Sequence, residues 1–180
     1  MREGEAQKIR LGVSACLLGR EVRYDGGHKR DHFLTDTLGP FVEWVPVCPE
    51  VEAGFGTPRE PMNLVRTEGG VRVITVDTAR DLTESFDAYA QKRVSELAFE
   101  DLSGYVLKKD SPSCGMERVR VHGRRGVTRN GVGMFARALL ERLPLLPVEE
   151  EGRLHDPALR ENFIERVFAY ARWQAALAAG

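Results

Sequence analysis

The chain of 180 residues is long enough for one domain that buries a sizeable core without disulfide bonds. Its 26 basic and 27 acidic residues give a net charge of −1, which excludes a wholly basic nucleic-acid-binding protein. A charged fraction of 29% and a hydrophobic fraction of 42% exclude an intrinsically disordered protein. The sequence shows no membrane-spanning run and no apolar signal segment after Met1, so we expect a cytoplasmic protein without membrane contact.

The first third of the chain predicts two buried strands separated by a polar loop. Apolar residues alternate over 9–13, which favours a strand, and residues 20–31 are polar with two adjacent glycines. A short helix over 31–38 is predicted to end at Gly39-Pro40, before a second strand over 41–47. Residues 54–61 contain two glycines and two prolines, which exclude both a helix and a central strand.

A hairpin and a long helix follow. Two strand-like runs within residues 64–76 meet at Gly69-Gly70, a pattern typical of a β-hairpin. Residues 79–98 carry apolar side chains at helical spacing, and Thr78 with Asp81 predicts a capping box at the start of this helix.

The remaining elements complete an alternation of strands and helices. We predict a third buried strand over 104–107, a basic loop or loose hairpin over 116–131, and a helix over 132–143. Residues 145–148 predict an edge strand, because Pro147 cannot donate to a ladder. Asp156 and Pro157 predict the start of a final helix that ends near residue 178. The pattern indicates an α/β fold with a mostly parallel sheet flanked by helices, one β-hairpin and a C-terminal helix.

All three cysteines follow a predicted buried strand, directly or after a short loop. Cys16 follows the first strand, Cys48 the second and Cys114 the third. Ligands of an open α/β sheet collect beyond the carboxyl ends of its strands, so these thiols could converge there. A protein that is not exported keeps its thiols reduced, and thiolates suit zinc or an iron–sulfur cluster. The alternative is that each cysteine is simply a small core residue.

The spacing of the cysteines leaves the metal open. No C-x₂-C pair occurs, which excludes a zinc ribbon and a ferredoxin-type run. A Cys₃His zinc site would take its histidine from His28, His32, His122 or His155, with His28 favoured because it lies in the loop after the first cysteine. Three cysteines could also leave one metal position free for substrate, as catalytic zinc sites do.

Four motifs occur in order along the chain. They are Ser14-Ala15-Cys16-Leu17-Leu18-Gly19, then Val22-Arg23-Tyr24-Asp25-Gly26, then Cys48-Pro49-Glu50-Val51 with Thr57-Pro58-Arg59, and finally Leu107-Lys108-Lys109-Asp110-Ser111-Pro112-Ser113-Cys114-Gly115. Together they resemble the thiouracil desulfidase family, long known as a domain of unknown function. The resemblance implies a Rossmann-like α/β iron–sulfur domain over 9–150, followed by a C-terminal helical extension over 151–180.

The resemblance also implies a cofactor and a reaction. It implies a [4Fe-4S] cluster held by Cys16, Cys48 and Cys114, with one open iron that takes sulfur from a thiolated pyrimidine. The implied reaction is a non-redox, lyase- or hydrolase-like cleavage of the C–S bond that yields the oxo base and sulfide. The expected partner is a small thiolated nucleobase or sulfur compound, and we expect a monomer or a homodimer.

Three residues near the cysteines are predicted to be catalytic. Glu50, two residues after Cys48, is placed to act as general acid or base; otherwise it caps a turn. Ser111 holds substrate or stabilises a turn, and the resemblance ranks it above Ser113. Asp25 binds substrate or forms an Asx turn.

Substrate binding is predicted for Ser14, Arg59, Lys109 and Ser113. Arg59 is either a fork-shaped clamp on substrate or a structural ion-pair partner, and its Pro-x-x-Pro frame makes the clamp plausible. Lys109 stands out because the chain has only 5 lysines. Its ammonium either offsets the charge of an anionic cluster and anchors substrate, or marks a solvated strand end.

A basic run over 118–129 offers a further function. Its arginines could contact RNA phosphates, but no aromatic side chains interleave them, and a solvated loop is favoured. Two alternatives to a desulfidase therefore remain at this stage. One is a zinc-stabilised Cys₃His module that binds RNA or a small molecule; the other is an iron–sulfur electron-transfer protein, which would coordinate all four irons.

Overall fold

Two four-stranded sheets form the frame of the protein, and the computed structural model describes residues 9–179. The strands and helices, in chain order, are β1 (Ile9–Ser14), β2 (Val42–Val47), α1 (Pro49–Glu52), β3 (Met62–Thr67), β4 (Gly70–Thr75), α2 (Thr83–Leu97), β5 (Gly104–Leu107), β6 (Val119–Gly123), β7 (Gly126–Gly131), α3 (Met134–Arg142), β8 (Val148–Glu150) and α4 (Pro157–Ala179). Within this part of the chain, no helix is long and apolar enough to cross a membrane.

The first sheet has the strand order β2–β1–β5–β8, and each neighbouring pair is parallel. From β1 the chain moves to one side to form β2, and later returns to the other side of β1 to form β5. The order of the strands therefore reverses between β1 and β5. Open α/β sheets bind ligands beyond the carboxyl ends of the strands at such a reversal. The predicted, mostly parallel α/β sheet flanked by helices is confirmed.

Alternate residues along the first sheet divide its core into two layers. Tyr105 of β5 packs against α2 and α3, whereas its neighbour Val106 lies on the opposite face. On that face α4 contributes Phe163 and Val167 to a core shared with β1. The helix can approach because Gly104 has no side chain; a Cβ there would lie 2.7 Å from Cγ2 of Val167. The C-terminal helix thus packs directly on the sheet.

The second sheet has the order β4–β3–β6–β7 and consists of two antiparallel hairpins joined by a parallel β3–β6 pair. The predicted hairpin over 64–76 is confirmed as β3–β4. Of the two alternatives predicted for the basic segment over 116–131, the hairpin is observed, as β6–β7, with a shift in register between Val119 and Arg120. Leu64, Val73 and Val121 pack this sheet against Phe86 of α2. The pairing of the two hairpins is a feature that the sequence did not predict.

The predicted capping box at the start of α2 is wrong. The helix begins at Thr83, and Ala79 takes the left-handed conformation (φ 51°), which interrupts a helix there. The backbone N–H of Thr78 instead donates to the carboxylate of Glu60, at 2.6 Å. Asp81 accepts a hydrogen bond from the N–H of Thr83, at 2.9 Å. The tertiary contact with Glu60 therefore replaces the local cap.

Of three other predicted elements, two differ from the prediction in type or extent and one agrees with it. The helix predicted over 31–38 is one π-helical turn, Phe33–Leu38, followed by a 3₁₀ turn at Gly39–Phe41. The predicted edge strand begins later, at Val148, and is indeed at the edge of the first sheet. The final helix begins as predicted, because Asp156 Oδ1 accepts hydrogen bonds from the N–H groups of Ala158 and Leu159.

Candidate metal centre

The three cysteines lie just beyond the carboxyl ends of the three adjacent parallel strands β2, β1 and β5. Cys16 lies in a 3₁₀ turn (Ala15–Leu18) directly after β1, and Cys48 lies between β2 and α1. Cys114 follows β5 after an irregular loop, residues 108–113, which we call the Cys114 loop. All three thiols are free, and all three line one cavity of about 490 Å³. The predicted convergence of the thiols at one sheet edge is therefore observed.

The second sheet also contributes to the wall of the cavity. Asn63 on β3 and Arg120 and His122 on β6 line it, and the parallel register brings these neighbouring strands together. The sequence indicated neither Asn63 nor Arg120 as a site residue, and His122 was only one of four histidines considered for a zinc site. The unpredicted β3–β6 pairing accounts for their position in the cavity wall.

Glu50 joins two of the cysteine-bearing segments. Its Oε2 atom accepts a hydrogen bond from the thiol of Cys48, at 3.5 Å, and its Oε1 atom accepts one from the hydroxyl of Ser113. Ser113 is fully buried and is adjacent to Cys114, with its Oγ 3.7 Å from that thiol. The Glu50 side chain is only 12% exposed, so the carboxylate has a defined position in the wall of the cavity.

Burial and negative charge keep the thiols protonated in the protein without metal. Burial, with a smaller contribution from the Glu50 carboxylate, raises the pKa of Cys16 to about 11 and that of Cys48 to about 12. Burial also raises the pKa of Cys114 well above its ordinary value, although the hydroxyls of Ser14 and Ser113 oppose the shift. Near neutral pH these thiols become thiolates where a positively charged group, such as a metal, replaces their protons.

Ser111 holds the turn in which Cys114 lies. Its Oγ atom accepts hydrogen bonds from the N–H groups of Ser113 and Cys114, each at 3.2 Å, and lies 2.8 Å from the Ser113 hydroxyl. Gly133 allows this turn to pack on the start of α3, because a Cβ there would lie 2.4 Å from the carbonyl oxygen of Ser113. Ser111 also lines the cavity, so it both stabilises the turn and forms part of the site.

Arg59 is buried behind Glu50. Its side chain is 8% exposed, its Nη1 atom donates to the carbonyl oxygens of Val22 and Gly56, and its Nη2 atom lies 3.8 Å from Glu50 Oε2. The guanidinium lines the cavity, and its Nε atom has no hydrogen-bond partner among the described residues. The contact with Glu50 agrees with the structural ion-pair alternative, and the position in the cavity wall leaves the substrate clamp as a prediction.

Ser14 and Lys109 also line the cavity. The Ser14 hydroxyl is buried and accepts a hydrogen bond from the N–H of Lys108, at 2.9 Å, which ties β1 to the Cys114 loop. The ammonium of Lys108 pairs with Glu151, whereas the N–H of Lys109 donates to the same carboxylate. Sequence analysis missed Glu151; its position beyond a short edge strand gave no signal.

Asp25 does not line the cavity, although its neighbour Tyr24 does. Asp25 Oδ1 accepts a hydrogen bond from the N–H of Gly27, at 3.0 Å, and this bond is the main reason that its pKa is lowered. The side chain is half-exposed and lies 3.6 Å from the Nε atom of Arg23. The structure thus places Asp25 in an Asx turn, at the edge of the site.

Of the four histidines, His122 lines the cavity and His28 does not. His28 Nδ1 accepts a hydrogen bond from the N–H of Arg30, while His32 contacts Asp36 and His155 contacts Asp31. The preference for His28 as a fourth ligand therefore has no support from its position. Among residues 9–179, no three His, Cys, Asp or Glu side chains are grouped so as to hold one metal ion.

The donor set suits an iron–sulfur cluster. A single tetrahedral zinc ion needs all its ligands within about 2.0–2.3 Å of one point, whereas a cluster takes each thiolate on a different iron atom. Three soft sulfur donors line one cavity, but among the described residues they are not grouped closely enough to hold a single metal ion, which matches the second requirement.

Comparisons with known proteins agree on a family. The family model for 2-thiouracil desulfurase matches residues 11–151. The uncharacterized protein YbbK of Bacillus subtilis (strain 168) is 34% identical over 108 residues, which cover 57% of this chain and 71% of the relative. The solved structure of TudS, a [4Fe-4S]-dependent thiouracil desulfidase, aligns with a TM-score of 0.67 and 36% identity, covering 86% of this chain and 99% of that one. By this match over most of its length, the chain belongs to the 2-thiouracil desulfurase family.

Proposed function

We propose that this protein is an iron–sulfur-dependent desulfidase that converts a thiolated pyrimidine of the thiouracil type into the oxo base and sulfide. Family membership and the solved relative support this activity. The structural observation that carries it is the position of three free thiols around one cavity at the strand-order reversal, beside the buried carboxylate of Glu50.

Cys16, Cys48 and Cys114 would hold the [4Fe-4S] cluster, leaving its fourth iron without a protein ligand. The number of soft donors supports this assignment, because the chain has no fourth cysteine. When bound, the cluster supplies an open iron that polarises the thiocarbonyl group and accepts its sulfur.

The reaction exchanges sulfur for oxygen without net oxidation. Water adds its oxygen to the thiocarbonyl carbon, the C–S bond breaks, and the two protons of water leave with sulfur as hydrogen sulfide. Glu50 takes a proton from the attacking water and returns it to the departing sulfur, so it acts first as base and then as acid. The atoms balance as thiocarbonyl plus water giving carbonyl plus hydrogen sulfide.

A chain of hydroxyl groups orients Glu50. Ser113 donates its hydroxyl hydrogen to Glu50, so at the 2.8 Å contact between the two serines Ser111 must be the donor. Ser111 is thereby the cavity-facing end of a proton path that leads to Glu50. Arg59 holds the carboxylate from behind with its Nη2 atom, which makes it a positioning residue for Glu50.

Ser14 and Lys109 complete the binding site. Lys109 lines the cavity, and its ammonium has no hydrogen bond or ion pair among the described residues. It can therefore offset the negative charge of a thiolate-bound cluster or bind an anionic substrate. Ser14 contributes a buried hydroxyl beside Cys114. For Asp25 we propose the turn role, because its carboxylate already caps a turn outside the cavity.

Anaerobic purification tests the cofactor first. We expect a brown protein with about four iron and four sulfide per chain, which air bleaches. Colourless protein with one zinc ion would overturn the cluster and favour the zinc module. A cluster that undergoes reversible one-electron reduction but releases no sulfide from any thiopyrimidine would favour electron transfer.

Sulfide release tests the reaction. The reconstituted protein is incubated anaerobically with 2-thiouracil or 4-thiouracil, and both sulfide and uracil are measured. We expect both products in equal amounts without added reductant, since the reaction is redox-neutral. The control is Cys114→Ser. Equal product from this variant and from the unaltered protein would exclude desulfidase activity on these compounds.

A further inference from the structure

Three consecutive glutamates at the end of β8 are buried, which is unusual for carboxylates. Glu149, Glu150 and Glu151 are each only 7% exposed. Carboxylates are rarely this buried unless they are paired or bonded to N–H groups. β8 is the parallel neighbour of β5, so the carboxyl ends of both strands lie at the same end of the first sheet. The three glutamates are therefore at the end of the sheet where the cysteines lie.

Glu151 holds the start of the Cys114 loop. One of its oxygens pairs with the ammonium of Lys108, and the other accepts a hydrogen bond from the N–H of Lys109, at 2.8 Å. Gly152 allows this approach, because a Cβ there would lie 2.6 Å from Cδ of Lys109. Both oxygens of the buried Glu151 carboxylate therefore bind two consecutive residues, Lys108 and Lys109.

Glu150 holds the chain on the other side of Cys114. Its Oε1 atom accepts a hydrogen bond from the N–H of Met116, at 2.8 Å. Glu149 has different partners: the N–H of Glu150 and the guanidinium of Arg153. Two adjacent carboxylates thus bond to the backbone before and after Cys114, while the third reaches this region only indirectly, through Arg153, which also donates to Glu117.

The segment between these two points has no regular structure of its own. Residues 108–118 contain neither a strand nor a helix, and Ser111 accepts the hydrogen bonds that the N–H groups of Ser113, Cys114 and Gly115 donate. The position of Cys114 relative to Cys16 and Cys48 therefore depends on contacts from outside the segment.

We propose that Glu150 and Glu151 form a two-point carboxylate clamp that fixes the Cys114 loop, and with it the Cys114 thiol and the Ser111 hydroxyl, against the edge of the first sheet. Both glutamates are positioning residues, since neither lines the cavity. The inference rests on the proposed role of Cys114 as a cluster ligand, but the clamp itself is measurable without the cluster.

The first test is cysteine alkylation in the full-length, cluster-free protein under anaerobic conditions at one fixed pH. Mass spectrometry gives the iodoacetamide reaction rate of each cysteine separately. In Glu151→Ala and Glu150→Ala we expect Cys114 to react roughly ten times faster than in the unaltered protein, because a buried hydrogen bond to the backbone beside Cys114 is lost. Cys16 and Cys48 should keep their rates and serve as references within the same molecule.

Two further variants separate positioning from general destabilisation. Glu151→Gln keeps an oxygen that accepts from Lys109, so it should restore most of the slow Cys114 rate that Glu151→Ala loses. Glu149→Gln is the matched control, since that glutamate is equally buried but does not contact the loop. It should leave all three rates unchanged.

The second test uses the cluster-loaded protein and a chelator. Loss of the cluster absorbance should be faster in Glu151→Ala and Glu150→Ala than in Glu149→Gln. Equal Cys114 alkylation in the clamp variants and the control, or equal acceleration of all three cysteines, would overturn the clamp. A protein without desulfidase activity that still shows the Cys114-specific effect would overturn the proposed function and leave the clamp standing.

Discussion

Glu50 is the residue best placed for proton transfer, because its carboxylate accepts hydrogen bonds from the thiol of Cys48 and from the hydroxyl of Ser113, beside Cys114. Glu50→Gln keeps the shape and removes the base. We expect sulfide release to fall by about 10²–10⁴-fold while iron content is unchanged, which is the range for loss of a general acid–base. The measurements are single-turnover sulfide release and iron analysis.

The control for Glu50 is Glu43→Gln. Glu43 is an exposed carboxylate that pairs with Arg10 and lies near the start of β2, at the end of the strand opposite to Cys48. It should retain full activity. A Glu50→Gln variant with full turnover would remove Glu50 from the mechanism, whatever its contacts.

The thiols give a pH-dependent prediction. Burial raises the pKa of Cys16 to about 11 and that of Cys48 to about 12, so at neutral pH both are overwhelmingly protonated in the cluster-free protein. Their alkylation rates should still be rising above pH 9, where those of the same cysteines in denaturant level off near the ordinary thiol pKa of about 8.5. A plateau near pH 8.5 in the folded protein would contradict the burial of these thiols.

At the scale of elements, Glu60 links the irregular segment before β3 to the turn after β4. Its carboxylate accepts hydrogen bonds from the hydroxyl and N–H of Thr78 and from the N–H of Asp77. These bonds, led by the Thr78 hydroxyl, lower the pKa of Glu60. A lowered pKa contributes stability above the unfolded-state value of about 4.3, and the contribution is lost as the pH falls through the lower folded-state pKa.

We therefore expect Glu60→Gln to destabilise the protein at pH 7 and to matter progressively less as the pH falls below about 4, the range in which the unaltered carboxylate is protonated. The measurement is the denaturant midpoint of both proteins across this pH range. A stability difference that grows toward acid pH would have the wrong sign.

The turn that carries Cys114 depends on a close backbone contact with α3. In Gly133→Ala the new methyl group would lie 2.4 Å from the carbonyl oxygen of Ser113, which is backbone and cannot rotate away. We expect lower cluster occupancy after reconstitution and faster alkylation of Cys114. Gly69→Ala is the control, because the nearest atom to its methyl group would be Oγ1 of Thr67, at 3.9 Å. Equal cluster occupancy in both variants would show that the turn can shift.

At the scale of the whole molecule, the C-terminal helix shares the core of the main domain. Phe163 is 1% exposed and packs with Leu11, Val13 and Leu154. We propose that residues 151–180 are an extension that packs on the 9–150 domain and stabilises it. Phe163→Ala should lower the free energy of unfolding by about 3–5 kcal/mol, as for other buried phenylalanines.

Denaturant unfolding checks this, and one cooperative transition is expected for the unaltered chain. Phe99→Ala, at a side chain that is 85% exposed, is the control and should change stability little. A separate early transition, or no effect of Phe163→Ala, would mean that the helix is an independent unit.

Sequence patterns predicted those elements correctly whose structure depends only on residues close together in the chain. Alternation of apolar residues predicted the strands that precede the cysteines, and turn residues predicted the β3–β4 hairpin. Capping chemistry within a few residues predicted the helix start at Asp156. The capping box at Thr78 failed because Glu60, far away in the sequence, offers that residue a better partner.

The sequence by itself determined that three thiols stand at the ends of buried strands, because strand pattern and turn residues are local properties of the chain. Only the tertiary structure decided what surrounds them. The β3–β6 pairing brings Arg120 and His122 to the cavity that the cysteines line, and β8 brings Glu150 and Glu151 to the backbone on either side of Cys114. Such partners come from segments far apart in the chain, and their proximity depends on which strands pair, which no periodicity within a segment encodes.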